Sequence, residues 1–193
     1  MLEVGTGVRE MAGEAVSGDQ AGYWYLAHGD LLACLVDGLG HGESAFQAAN
    51  QCLATVEQIH THPISEILQV CNEELRNTRG VAIGLALIQP ENNQLKYCGV
   101  GNIRATITGH HLRKLVSIGG ILGCEPKVQR PILTVPFEIG KDSFVLCSDG
   151  MSADMPHSMY QCKPLYPNLN TLIDELLCQW ASINDDASMM IVR

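Results

Sequence analysis

Apolar residues fall along this chain in short runs cut by Gly, Asp, Asn and Pro, with three stretches where they recur every three or four positions instead. Residues 31–36 (Leu-Leu-Ala-Cys-Leu-Val) have the length and composition of a strand buried on both faces. That strand delivers Asp37 into a glycine-rich turn, after which Glu43 opens a helix. Residues 143–147 repeat the arrangement and deliver Asp149 into Gly150. Further strands are predicted over 81–88, 95–100, 103–108 and 187–192, with a looser edge strand over 2–11. Helical spacing predicts helices over 43–60 (Phe46, Ala49, Leu53 and Val56 inward), 64–76 (Ile67, Leu68, Val70, Cys71 and Leu75 inward) and 169–180 (Leu172, Ile173, Leu176 and Leu177 inward). Between 112 and 136 the pattern is poor, predicting a loop over 119–123 and a strand over 128–135.

Residues 23–28 read as one more strand, and Gly29-Asp30 as the turn that returns it into 31–36. Asp19 precedes that strand and Asp37 follows its partner, so antiparallel pairing makes neighbours of two distant carboxylates. Asp19, Asp37, Asp149 and the Asp185-Asp186 pair all stand at strand ends among Gly, Ser or Asn. Each alone reads equally well as a solvated turn aspartate. Together they form a set of hard oxygen donors without accompanying histidines, which suits Mg²⁺ or Mn²⁺ rather than zinc. Carboxylates gathered in one small space repel unless cations lie between them, which favours two ions.

Composition narrows the functional classes. At 193 residues the expectation is a single domain over 1–193. A formal net charge of −9 with no basic run argues against nucleic acid and anionic membrane surfaces as partners. The first residues lack the pattern of a secretory signal and no apolar run is long enough to span a bilayer, so a cytoplasmic protein is expected. The eight cysteines contain no CxxC pair and read as buried free thiols. No heptad pattern is present, and the expected state is a monomer.

Four segments taken in order, Ser17-Gly18-Asp19, Val36-Asp37-Gly38-Leu39-Gly40-His41-Gly42, Cys147-Ser148-Asp149-Gly150 and Asn184-Asp185-Asp186-Ala187-Ser188, resemble the metal-dependent serine/threonine phosphatases of the PPM (type 2C) family, and within it the bacterial SpoIIE-like branch. The resemblance covers nearly the whole chain. It implies an α+β fold, a four-layer αββα sandwich with two central antiparallel sheets. It also implies two Mn²⁺ or Mg²⁺ ions, with Asp37 bridging them, the Gly38 carbonyl on one, Asp149 and Asp185 on one, and Asp19 acting through water on the other. Asp186 is then either the ligand in place of Asp185 or its supporting partner. Water activated between two ions attacks phosphorus without a covalent enzyme intermediate, so no cysteine is essential and Cys147 is read as a small core residue.

His41 is the histidine within a motif: it could protonate the leaving oxygen, bind phosphate as a cation, or shape the loop at the helix N-terminus. Arg9 is the candidate for substrate phosphate ahead of Asp19. The stretch Gly99-Val-Gly-Asn102 and the lack of a sensor domain resemble those members that reset stress signalling, which implies phosphorylated stressosome scaffold and antagonist proteins with STAS domains as substrates. Loops 119–127 and 156–167 are candidates for substrate choice, and His110-His111 read as an exposed turn. Two other readings remain: a phosphatase-fold binding module that is inactive or gated by its substrate, and an ATP-binding anti-sigma-type kinase. The kinase is disfavoured because Leu39 stands where its glycine box needs Gly.

Overall fold

The computed structural model describes residues 1–109, 112–155 and 168–193. Its ten strands are β1 (Val4–Arg9), β2 (Asp19–Tyr25), β3 (Leu31–Gly38), β4 (Val81–Gln89), β5 (Gln94–Val100), β6 (Arg104–Thr108), β7 (Arg113–Leu115), β8 (Leu133–Pro136), β9 (Ser143–Cys147) and β10 (Ala187–Val192). Its three helices are α1 (Glu43–Ile59), α2 (Ile64–Glu74) and α3 (Leu169–Trp180). The strands form two five-stranded antiparallel sheets, one ordered β1-β10-β9-β6-β7 and the other β2-β3-β4-β5-β8.

Alternation along the strands builds four layers. In β3, Leu31, Ala33 and Leu35 join Phe144, Leu146, Met190 and Val192 of the other sheet in a core between the sheets. Tyr97 and Phe144 meet there edge to face, with ring centroids 6.2 Å apart. The alternate residues Leu32, Cys34 and Val36 face α1 and α2 with Ile83 and Leu85. On the opposite side, Val145, Cys147, Met189 and Ile191 pack beneath α3. Both faces of β3 and β9 are thus covered, which is why their sequences are unbroken apolar runs. The αββα sandwich expected from the resemblance is the observed fold. Among the described residues no helix is long and apolar enough to cross a membrane.

Several boundaries differ from expectation. The strand predicted over 23–28 starts earlier, at Asp19, and ends at Tyr25. The return is wider than a Gly-Asp turn: Leu26 N–H donates to the Asp30 carbonyl at 2.8 Å, and His28 has φ of 59°. The strand predicted over 128–135 is reduced to Leu133–Pro136, while β7 had no clear signal. The strand predicted over 95–100 is β5, which starts one residue earlier at Gln94 and runs through Gly99. The buried face of α1 consists of Ala45, Ala48, Ala49, Cys52 and Val56, with Phe46 and Leu53 at its margins, because the helix lies too close to the sheet for large side chains. In α2, Val70 is only half-buried and Asn72 is buried instead, donating to the Glu125 carbonyl and accepting from Gly123 N–H.

Cys34, Cys52, Cys71 and Cys98 are buried free thiols as expected and Cys147 is buried, but Cys124 and Cys178 are exposed. The candidate loop 156–167 and His110-His111 lie outside the described residues.

Candidate active site

The β2–β3 register places Asp19 directly opposite Asp37. Inward parity along β3, β9 and β10 puts Asp37, Ser148 and Ser188 at one end of the inter-sheet space, the same end as Asp19. Asp149 and Asp185 leave the other sheet at that end. Asp37, Asp149 and Asp185 line one cleft of about 480 Å³ with Leu39, His41 and Asn102.

Two glycines permit the close approach. A β-carbon on Gly38 would stand 2.2 Å from the Ala45 carbonyl oxygen, and one on Gly150 would stand 1.9 Å from the Asp186 carbonyl oxygen. Each glycine after a strand-end aspartate therefore lets the next backbone segment press against the turn. Gly38 N–H also donates to the Gly18 carbonyl at 3.0 Å, tying the turn to the residue before Asp19.

The electrostatics are those of anions lacking a counter-charge. Asp19 is 1% exposed, and its Oδ2 has no hydrogen-bond partner. Burial pushes its carboxyl up to about 7, assisted by Asp186 and Asp149 and opposed by the hydroxyls of Ser148 and Ser188. The Ser188 hydroxyl is near enough to favour the charged form although it completes no hydrogen bond of normal geometry. Burial also pushes Asp37 up, to about 8, with Asp19, Asp149, Asp185 and Asp186 adding repulsion. Asp185 is raised by burial first and by Asp149 next.

A buried carboxylate oxygen without a donor, next to a second carboxylate, is a position that a cation completes. All the donors are hard oxygens, which suits Mg²⁺ or Mn²⁺. Among the described residues no three acidic, histidine or cysteine side chains close on a single point. Magnesium commonly retains several waters and takes only one or two carboxylates, so the residues present fit such ions.

The two aspartates before β10 are in different surroundings. Asp186 is 3% exposed, and its oxygens accept from Met11 N–H and Gly18 N–H, both at 2.9 Å. It fastens the β1–β2 segment behind Asp19. Asp185 is the one that lines the cleft, and it accepts from Asp186 N–H at 3.0 Å.

His41 lines the cleft with 55% of its side chain exposed, and its Nδ1 lies 2.6 Å from Glu14 Oε1. Arg9 lies outside the cleft: its guanidinium donates to the carbonyls of Leu177, Ala181 and Ser182, closing the C-terminal end of α3. That engagement removes the arginine the sequence offered for phosphate. Sequence reasoning missed Glu14, which carried no periodic or motif signal. It also missed Asn102, whose Nδ2 donates to Asp149 Oδ2 at 2.7 Å, although the Gly99–Asn102 stretch stood out as a resemblance.

A family model described as "Stage II sporulation protein E (SpoIIE)" matches residues 27–193. The chain belongs to the SpoIIE family. It is 29% identical over 126 residues to phosphoserine phosphatase RsbX of Bacillus subtilis (strain 168), a match spanning 64% of this chain and 62% of that protein. Among solved structures it superposes on a chain from work on the bacterial stressosome as "a modular system that has been adapted to control secondary messenger signaling", with TM-score 0.93, 27% identity and full coverage of both chains. It also superposes on RsbX in complex with magnesium, with TM-score 0.85, 22% identity, and 99% and 94% coverage. The SpoIIE-family chain therefore has a PP2C-like fold, and the strand-end aspartates lie within the matched segment apart from Asp19, which precedes it.

Proposed function

We propose that this chain is a metal-dependent phosphoprotein phosphatase acting on phosphoserine or phosphothreonine, with residues 1–193 as one catalytic domain. The observation that carries the reading is the Asp19–Asp37 pair, a buried carboxylate with an unpartnered oxygen set across from a second carboxylate whose proton affinity is raised. Asp19, Asp37, the Gly38 carbonyl, Asp149 and Asp185 would hold two Mn²⁺ or Mg²⁺ ions. When bound, such ions supply Lewis acidity that brings a water's pKa near neutrality and offsets charge on the phosphoryl oxygens.

The chain's own residues do the rest. Strand ends on two packed sheets hold the carboxylates, so little reorganisation accompanies reaction. Asn102 orients Asp149, and Asp186 holds the segment carrying Asp19. His41, with Nδ1 engaged by Glu14, keeps Nε2 for delivering a proton to the leaving serine or threonine oxygen. No cysteine takes part, and Cys147 packs beneath α3.

Likeness to RsbX and to the stressosome-associated chain supports phosphorylated stressosome scaffold and antagonist proteins with STAS domains as the substrates.

The test compares aryl phosphate hydrolysis in Mn²⁺, Mg²⁺ and chelator, followed by a phosphorylated STAS-domain protein. Turnover that Mn²⁺ sustains and chelator stops is expected. A folded protein inert toward both substrates would leave a binding module on the phosphatase fold. His41→Ala is expected to slow the serine-phosphate substrate more than the aryl phosphate, whose leaving group needs no proton; equal losses would assign His41 to loop shape alone.

A further inference from the structure

A phosphomonoester brings more negative charge to a cleft already lined by Asp37, Asp149 and Asp185, so its capture draws on positive charge at the rim. Two arginines stand where cleft glycines lack side chains. A β-carbon on Gly40 would lie 2.9 Å from Arg79 Nη1, and one on Gly120 would lie 2.7 Å from Arg130 Nη2. The second is already neutralised: Arg130 pairs with Glu125 and donates to the Gly119 and Gln129 carbonyls. Arg9 caps α3, and Arg104 donates to the Ser148 and Met151 carbonyls. Arg79 is exposed and has neither an ion pair nor a hydrogen bond among the described residues.

Its backbone is nevertheless firmly held. Thr78 Oγ1 donates to the Leu75 carbonyl at 2.7 Å and accepts from Gly80 N–H at 3.0 Å. Leu39 N–H donates to the Gly80 carbonyl at 3.0 Å, joining this turn to the loop that follows Asp37. The arrangement is a free guanidinium on a stapled turn beside the acidic cleft. It is flanked by the apolar Leu39 and Ile121, which also line that cleft.

We infer that Arg79 is the substrate-binding cation of this site and takes the phosphoryl oxygens of the ester through its paired N–H donors. The inference rests on the phosphatase reading above. It assigns phosphate recognition to the α2–β4 turn, which packs against the Asp37 loop, and not to the strand that precedes Asp19.

The experiment measures, for wild type, Arg79→Ala, Arg79→Gln and Arg79→Lys, the KM and kcat for an aryl phosphate in Mn²⁺ and the inhibition constant of inorganic phosphate. Calorimetry supplies the affinities of the same proteins for Mn²⁺ alone, and for inorganic phosphate in Mn²⁺. For Ala and Gln, KM and the phosphate constants are expected to rise together on the order of tenfold, with kcat and Mn²⁺ affinity little changed. Lys should recover part of the loss, since it keeps the charge without the fork. Phosphate constants within about twofold of wild type in both variants would overturn the inference, as would a fall in Mn²⁺ affinity that matches the loss. If wild type hydrolyses neither the aryl phosphate nor a phosphorylated STAS-domain protein, the phosphatase reading fails, and the phosphate calorimetry still decides whether Arg79 holds the anion.

Discussion

The two Asp-Gly turns, Asp37-Gly38 on one sheet and Asp149-Gly150 on the other, are built alike and behave differently. Each follows an apolar strand covered on both faces, and each glycine lies against backbone that a β-carbon would strike. Asp37, however, is half-buried opposite Asp19, and its carboxyl is pushed up to about 8. Asp149 is exposed and already accepts a hydrogen bond from Asn102. The local motif delivers a carboxylate to a chosen point; the surroundings decide how strongly that carboxylate demands a cation. The buried side of the cluster carries most of the demand, while the exposed side opens toward solvent.

The sharpest way to break the comparison is substitution on the buried side. Asp37→Asn is expected to lower turnover by ~10³-fold or more. Its metal-free thermal midpoint should equal or exceed that of wild type, because a repulsive buried charge is gone. A variant that retained near wild-type turnover would remove Asp37 from the metal site. The two turns should respond alike to crowding: Gly38→Ala and Gly150→Ala each drive a methyl into backbone and are expected to cost about 2–3 kcal/mol by denaturant unfolding. A neutral result at either position would mean that the turn yields without strain.

Titration tests the buried side directly. The raised carboxyls, Asp19 at about 7 and Asp37 at about 8, bind protons more tightly in the folded chain than in the unfolded one. Their contribution to the metal-free protein is complete below the ordinary value of 3.8 and is lost as pH rises through 7 and 8. The metal-free thermal midpoint should therefore fall from about pH 4 to about pH 8, between the ordinary and the raised values of these two groups, and Mn²⁺ should raise it more at the alkaline end. Asp37→Asn should flatten the fall. The smallest effect is expected on the exposed side, where Asn102→Ala frees Asp149 and lowers kcat by about tenfold with unfolding unchanged.

Much of this arrangement was legible in the pattern of apolar residues. The runs that became β3, β9 and β10 were recognisable because both faces of each are covered. The hairpin argument then brought Asp19 to Asp37, although the strand starts four residues before the expected one and its turn is wider. The helices were bounded well, but the inward face of α1 was rotated. Periodicity favoured the large Phe46 and Leu53, whereas the close seat of the helix selected Ala45, Ala48 and Cys52. The segment 112–136 was obscure because its short strands are half-exposed and its order comes from contacts such as those of Asn72 with Glu125 and Gly123.

The sequence by itself determined where the candidate carboxylates stand. Aspartates at the ends of apolar strands, each followed by glycine or a small polar residue, are local features written within a few positions of one another. Only the tertiary structure decided what surrounds each charged group. It separated Asp185, which lines the cleft, from Asp186, whose two oxygens are taken by the amides of Met11 and Gly18. It set Arg9 against three carbonyls at the end of α3 and left Arg79 beside Gly40 without a partner among the described residues. The physical reason is that a charge's role depends on its partners and its distance from water, and here those partners are separated by up to 175 positions in the chain.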